Sequence, residues 1–167
     1  EIQFMNKIDT ITGWKECRLD DLNCTFLSGF GFKSIDYSQE GIPLIKIGNI
    51  QGKRVTPNIS TDHIPRDIIN DKLSNYYLKN GDILIAMTGQ GSVGRVGKLI
   101  LRDKEKAILN QRVGKFICDE ISLHRDFLFY IITMDIYQDY LFNLGTGSGQ
   151  PNLSPEVILS IEIPTPP

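Results

Sequence analysis

Apolar residues in this 167-residue chain come in short runs separated by polar, glycine- or proline-bearing turns. The clearest run, Ile83 to Met87, follows the turn signal Asn80-Gly81-Asp82 and is the right length for one buried strand. Leu99 to Leu101 and a run from Ala107 follow it. The stretch therefore predicts strand, glycine-rich loop, strand, basic turn, strand. Upstream, Ile42-Pro43-Leu44-Ile45-Lys46-Ile47 reads as a strand with Pro43 at its start or edge. Trp14, Cys17, Leu19 and Leu22 form a first short element, with Trp14 as a core anchor, and Thr61 opens a loosely helical segment to Leu73, interrupted by Pro65.

After Cys118 the period lengthens. Ser122 can cap a helix whose apolar residues, Phe127, Tyr130, Ile131, Met134, Tyr137, Leu141 and Leu144, recur at three and four to make one buried stripe. A glycine-rich loop, Gly145 to Asn152, ends it. Ser154-Pro155-Glu156 then has the cap, the first-turn proline and the acid of a short helix. Ile161-Glu162-Ile163 is a strand, and the proline-rich tail from Pro164 to Pro167 is expected to lack regular structure. Strands and helices alternate irregularly, which predicts an α+β domain, a curved mixed β-sheet with helices packed on one side.

The totals change this picture little. The length suits one domain, and the composition is that of an ordinary globular protein. No apolar run approaches the roughly 20 residues of a membrane span, and Glu1 to Thr12 shows no basic-then-apolar signal pattern. Three cysteines, Cys17, Cys24 and Cys118, lack close pairing in sequence, which predicts reduced thiols in a cytoplasmic protein. His63 and His124 share no ligand-like spacing, so no metal site is expected. The net charge is only −2, yet seven of the basic residues and only two acids fall between Gly89 and Lys115. A local positive footprint matters more than the total.

Gly89-Gln90-Gly91-Ser92-Val93-Gly94 matches the glycine spacing of a dinucleotide-binding turn. That chemistry needs a helix to start at the turn, with its N-terminus facing a pyrophosphate. Here Gly97 and the strand-like Leu99-Ile100-Leu101 follow, and Arg95-Val96 stands where a P-loop needs Lys and Ser or Thr. A bulged connection between strands fits better, and a nucleotide-binding enzyme using this loop stays as the alternative of another class. No carboxylate pair or nucleophile–base arrangement suggests catalysis. The loops instead carry cations and amides: Lys33-Ser34 after Gly29-Phe30-Gly31-Phe32, and Asn49, Gln51, Lys53 and Arg54 around Gly52. Phe30 and Phe32 either tuck their loop onto the core or, with the tyrosines, offer an apolar patch to a partner protein.

Taken in order, several segments resemble the target recognition domain of type I restriction-modification specificity subunits. They are Gly29 to Ser34, Gly41 to Ile50, Asn80 to Leu84 with Gly89 and Gly94, Leu109 to Arg112, Gly147 to Ser154, and Ile161 to Pro164. The resemblance covers Trp14 to Pro167. It implies one recognition domain over residues 14–167, preceded at 1–13 by a linker or fragment edge and ending where a conserved spacer helix would begin. It implies a non-catalytic reader of one half of a bipartite double-stranded DNA target, serving methyltransferase (modification) subunits and a restriction subunit. S-adenosylmethionine, ATP and magnesium then belong to those partners, with no cofactor on this chain and no membrane association. A recognition domain cut from a fused type II restriction-methylation enzyme is the alternative within this reading.

Basic groups that neutralise phosphates release counterions, and amides or guanidinia bond base edges in the major groove. The expected phosphate contacts are Lys33, Ser34, Arg95 and Lys98, gathered on one positive surface. The expected base contacts are Asn49, Gln51, Arg54 and Gln90, with Asn110, Gln111 and Arg112 as weaker candidates because a strand could use them structurally.

Overall fold

The computed structural model describes residues 13–58, 61–147 and 149–167. The expected linker at 1–13 lies outside them apart from Gly13, as does Ser148 of the second glycine-rich loop.

Three sheets form. The largest contains, in spatial order, β2 (Thr25–Ser28), β11 (Val113–Ile117), β8 (Ile83–Ala86), β9 (Val96–Leu99), β5 (Arg54–Val55) and β4 (Ile50–Gln51). Its pairings are antiparallel except β5 with β9. A second sheet runs β6 (His63–Ile64), β3 (Ile42–Ile45), β10 (Ala107–Leu109), β7 (Tyr77–Leu78), with β3 parallel to β10. A third pairs β1 (Lys15–Arg18) with β12 (Glu162–Thr165). Among the described residues four α-helices complete the fold: α1 (Asp71–Ser74), α2 (Arg125–Ile132), α3 (Asp135–Thr146) and α4 (Pro155–Leu159). The α+β class with mixed sheets is as expected; what the sequence suggested as one curved sheet is divided among packed layers.

β8 explains the layering. Ile83, Ile85 and Met87 enter a core with Leu128, Ile131 and Ile132 of α2, Tyr137 and Leu141 of α3 and Ile158 of α4. The alternate residues, Leu84 and Ala86, enter a second core with Ile45 of β3 and Ala107 and Leu109 of β10. A strand with period two and both faces apolar must be covered on both sides. Helices α2, α3 and α4 cover one side, and the four-stranded sheet covers the other. That second sheet is itself two-sided: Ile42, Leu44 and Ile108 turn to a third core with Phe32, Ile64 and Leu73.

Several local expectations are corrected. The helix expected from Ser122 to Leu144 is two helices. His124, not Ser122, caps α2, its ring Nδ1 accepting from the Asp126 amide at 3.2 Å. Ser122 spends its hydroxyl on the Asp119 carboxylate. The Thr133 hydroxyl donates back to the Phe129 carbonyl at 2.7 Å, and Met134 leaves the helical region with ψ 145°. The expected single buried stripe is therefore not kept: α2 turns Leu128, Ile131 and Ile132 inside, and Tyr130, Met134 and Leu144 of that stripe are exposed. His63-Ile64 is a strand rather than helical, because the residue before Pro65 is biased toward extended backbone. Pro164 lies within β12, which is tolerated in a two-stranded edge pair. Cys24 and Cys118, unpaired by sequence spacing, meet as free thiols with their sulfurs 3.1 Å apart.

The glycine-rich loop docks on α3 through a reciprocal close approach. A Cβ on Gly94 would sit 2.8–3.0 Å from Leu141 and the backbone at Phe142, and a Cβ on Gly145 would sit 2.4 Å from a Val93 methyl. Gly94 also has φ +82°, whereas Gly91, at φ +71°, has open space around it. Left-handed backbone costs a non-glycine residue about 1–2 kcal/mol. Gly91→Ala is therefore expected to lose about that much stability. Gly94→Ala should lose clearly more, because helix backbone must also move. Urea unfolding of the two variants checks this, and equal losses would contradict the docking.

Candidate nucleic-acid interface

Strand directions gather the loops. β2, β3, β8 and β10 all end, and β9 and β11 both start, at the same end of the layered sheets. Backbone bonds join these ends: Gly29 N–H to Val113 O, Phe30 N–H to Leu109 O and Asn110 N–H to Ile45 O, each 2.9–3.1 Å. Four connections therefore emerge side by side, 29–38, 46–49, 87–95 and 110–112. A fifth, 149–152, joins through a Thr88–Asn152 bridge and the bond from Leu153 N–H to Met87 O.

The foundations of these loops are polar groups already satisfied. Asn49 is 7% exposed; its side-chain oxygen accepts from the Lys46 amide, and its nitrogen donates to Thr56 O and to the Thr61 hydroxyl. This amide holds the turn after β3 with both its N–H groups engaged and almost no exposed surface, which corrects the expectation of a base contact for Asn49. Asn110, 6% exposed, braces the turn before β11, its side-chain oxygen accepting from the Arg112 amide, and it lines a concavity with Gln111 and Arg112. Arg95 is half-buried and donates to Ile50 O at 3.2 Å and Gly91 O at 3.0 Å, clamping the β4 strand to the glycine loop. It stands at the loop end with two of its donors already in use.

Lys98 departs furthest from expectation. Its ammonium pairs with Asp126 of α2 at 2.7 Å and lies over the Phe129 ring, 4.5 Å from the centroid. The hydrogen bond from Lys98 holds the Asp126 carboxyl below its ordinary pKa. The pair therefore stays ionised above the usual carboxylate range and opens only as pH falls through the lowered pKa. Lys98 is thus a tie between β9 and α2, and the expected single surface of Lys33, Arg95 and Lys98 does not form. The basic stretch is dispersed more widely. Lys115 pairs with Asp82 at 2.9 Å, Lys106 covers the Tyr77 ring, and Arg102 and Lys104 are exposed in the connection from β9 to β10, at the opposite end. Sequence proximity concentrates charge, but an antiparallel hairpin sends neighbouring turns to opposite ends.

What remains is a smaller set with free polar groups, at the loop end or, for Gln51 and Arg54, flanking the β4–β5 turn, which points the same way because β5 runs parallel to β9. Lys33, Ser34, Gln51, Arg54, Gln90, Gln111 and Arg112 are all exposed. Among the described residues, Lys33, Arg54 and Arg112 have no acidic partner for their side chains. Gln51 makes one bond, to Gly48 O at 3.1 Å. Gln111 and Arg112 rim a concavity of about 280 Å³ with Tyr37, Lys46 and Ile47. Tyr37 and Lys46 escaped the sequence reading. Lys46 ends an apolar run, and only the fold shows its ammonium over the Tyr37 ring, 4.1 Å from the centroid, and paired with Asp62.

Neither alternative built on these loops gains support. After Gly94 the chain enters β9, so the glycine turn opens a strand and not a helix. A larger cavity of about 810 Å³, lined by His63, Arg66, Tyr77 and the 100–106 connection, contains no residue of that turn. Phe32 is buried, and Phe30 packs on it and on Tyr76 with centroids 4.9 and 5.6 Å apart. These rings anchor their loop to the third core instead of forming a patch. Among the described residues no His, Cys, Asp and Glu side chains gather into a metal-binding group, and no helix is long and apolar enough to cross a membrane.

Comparison with known proteins bears on the fold and the family of the chain. The chain is 34% identical over 155 residues to the type I restriction enzyme MjaVIII specificity subunit of Methanocaldococcus jannaschii, covering 92% of this chain and 36% of that protein. It is 31% identical over 147 residues to the EcoAI specificity subunit of Escherichia coli, covering 85% of this chain and 24% of that one. The solved HsdS subunit from Thermoanaerobacter tengcongensis shares the fold, with a TM-score of 0.61 at 18% identity, over 93% of this chain and 34% of that one. The chain thus spans little more than a third of the length of the MjaVIII subunit. With the family model for the type I restriction modification DNA specificity domain matching residues 11–167, the chain belongs to that family.

Proposed function

We propose that this chain reads one half of a bipartite duplex DNA target, and that separate methyltransferase and restriction subunits carry out the chemistry. The carrying observation is the convergence of loops at one end of the sheets, with the unpaired cations Lys33, Arg54 and Arg112 among the exposed amides Gln51, Gln90 and Gln111. Cations supply sequence-independent affinity by releasing counterions. Amides and guanidinia supply discrimination by bonding base edges. In this reading Lys33, Ser34 and Arg112 hold phosphates, Arg95 rigidifies the loop that presents Gln90, and Gln51, Arg54, Gln90 and Gln111 face the bases. Residues 14–167 act as one recognition domain without a catalytic centre. S-adenosylmethionine, ATP and magnesium act on the partners, and the protein works in the cytoplasm, where its DNA is. The same residues would serve if the domain came from a fused restriction-methylation enzyme.

Two predictions follow from the division between free and engaged side chains. Lys33→Ala and Arg112→Ala are each expected to weaken binding to every duplex similarly. Each should also reduce the slope of log affinity against log salt by about 0.9, the share of one phosphate contact. Lys98→Ala should leave that slope unchanged, because its charge is already paired. Titrations over a salt series measure all three, and unchanged slopes for Lys33→Ala and Arg112→Ala would refute the assignment.

Gln90→Ala and Gln111→Ala are expected to relax preference at individual target positions, each by about 1–3 kcal/mol of discrimination. Asn49→Ala should instead lower the unfolding midpoint through its buried hydrogen bonds. A randomised-site selection with each variant separates these outcomes. Unaltered preference in both glutamine variants would overturn the base-reading role.

A further inference from the structure

Ile35 stands out among the residues that the proposed function has not used. It is 87% exposed, in a turn between Ser34 and Asp36. A single bare apolar side chain is ordinary on a protein surface, so exposure alone says little. Its setting says more. The turn is tightly held: Asp36 N–H donates to Lys33 O at 2.9 Å, Tyr37 N–H donates to Ser34 O at 3.2 Å, and Lys33 N–H donates to the Asp36 carboxylate at 2.9 Å. At its base, Phe30 and Phe32 are stacked into the core. The turn carries the free ammonium of Lys33 on one side. On the other, two residues on, it leads to Tyr37, which shares the concavity of Gln111 and Arg112. An isoleucine is therefore presented on a fixed support, between a cation and a cluster of base-bonding groups. Its β-branched side chain is stiff, so little rotamer freedom is lost on contact.

In the major groove the one apolar feature of a base edge is the 5-methyl group of thymine, and aliphatic or aromatic side chains pack against it. We propose that Ile35 is a specificity-determining residue that contacts a thymine methyl in the target half-site. The inference rests on the proposed reading of duplex DNA and names one of its base contacts. Ile35 senses an apolar group while Gln90 and Gln111 sense donors and acceptors, so the two kinds of residue report on different features of the site.

Replacing thymine by uracil removes that methyl and leaves base pairing intact, which makes the test direct. The target is first obtained by randomised-site selection with the whole chain, and each thymine in it is then replaced singly by uracil. One replacement is expected to weaken wild-type binding about fourfold, the value for withdrawing one methyl-sized group from apolar contact. Ile35→Ala should bind the thymine and uracil duplexes equally. Ile121→Ala, at a residue 95% exposed in the segment after β11 and away from the loop end, should behave as wild type. If every thymine can be replaced without loss, or if Ile35→Ala keeps the wild-type ratio, the contact does not exist, whatever else the domain reads. If the selection yields no preferred sequence, DNA reading itself fails and the assignment of Ile35 falls with it.

Discussion

The structure depends on a strand that has no solvent face. Ile83, Ile85 and Met87 look to one side of β8 and Leu84 and Ala86 to the other, and all five are buried. Such a strand cannot sit at the surface of a two-layer fold, where one face must meet water. It requires cover on both sides, and the chain supplies helices for one and a second sheet for the other. Burying a large apolar side chain contributes about 1.5–3 kcal/mol, so Ile83, Leu84 and Ile85 of this strand, with Met87 just past its end, form a large part of what holds the layers together. Because the neighbouring strands are registered on β8, the same constraint fixes where each connection leaves the sheet.

The loops at one end inherit that rigidity. The glycine-rich connection lies against α3 because Gly94 and Gly145 leave room for each other's neighbours. Arg95 joins it to β4, Asn49 pins the turn after β3, and Asn110 pins the turn before β11. Buried or half-buried polar groups build the platform, and exposed ones with free donors project from it. A polar side chain can be fully satisfied inside the fold or available to a partner, but one set of hydrogen-bonding atoms cannot serve both uses at once. That division separates Asn49 and Asn110 from Gln90, Gln111 and Arg112, although all occur in similar polar stretches of sequence.

The glycine spacing from Gly89 to Gly94 shows the same principle for backbone. Its resemblance to a nucleotide-binding turn concerns the turn alone. The chemistry of phosphate binding resides in the helix that should follow, with its free N–H groups and aligned dipoles. Here the chain turns back antiparallel into β9, so those groups enter a sheet ladder. The glycines instead permit positive φ and close contact with a helix from elsewhere in the chain.

The sequence by itself was sufficient for the α+β class, for β8 and β10 and a strand between them (placed at Leu99 to Leu101, whereas β9 runs Val96–Leu99 and shares only Leu99 with it), for the Ser154 cap of α4, and for an ordered set of segments that resembles a DNA specificity domain. Each of these is written in local terms: a run of apolar residues, a turn signal, a cap, a motif in order. Tertiary structure alone decided which polar residues are free. Lys98 reads as one more cation in a basic stretch until Asp126, from a helix 28 residues away, is folded against it. The break at Thr133 and Met134 was equally hidden, since three-and-four spacing continues through it while the helix axis does not. Charge and amides can be counted along a chain, but their availability is set by partners that only folding brings within about 3 Å.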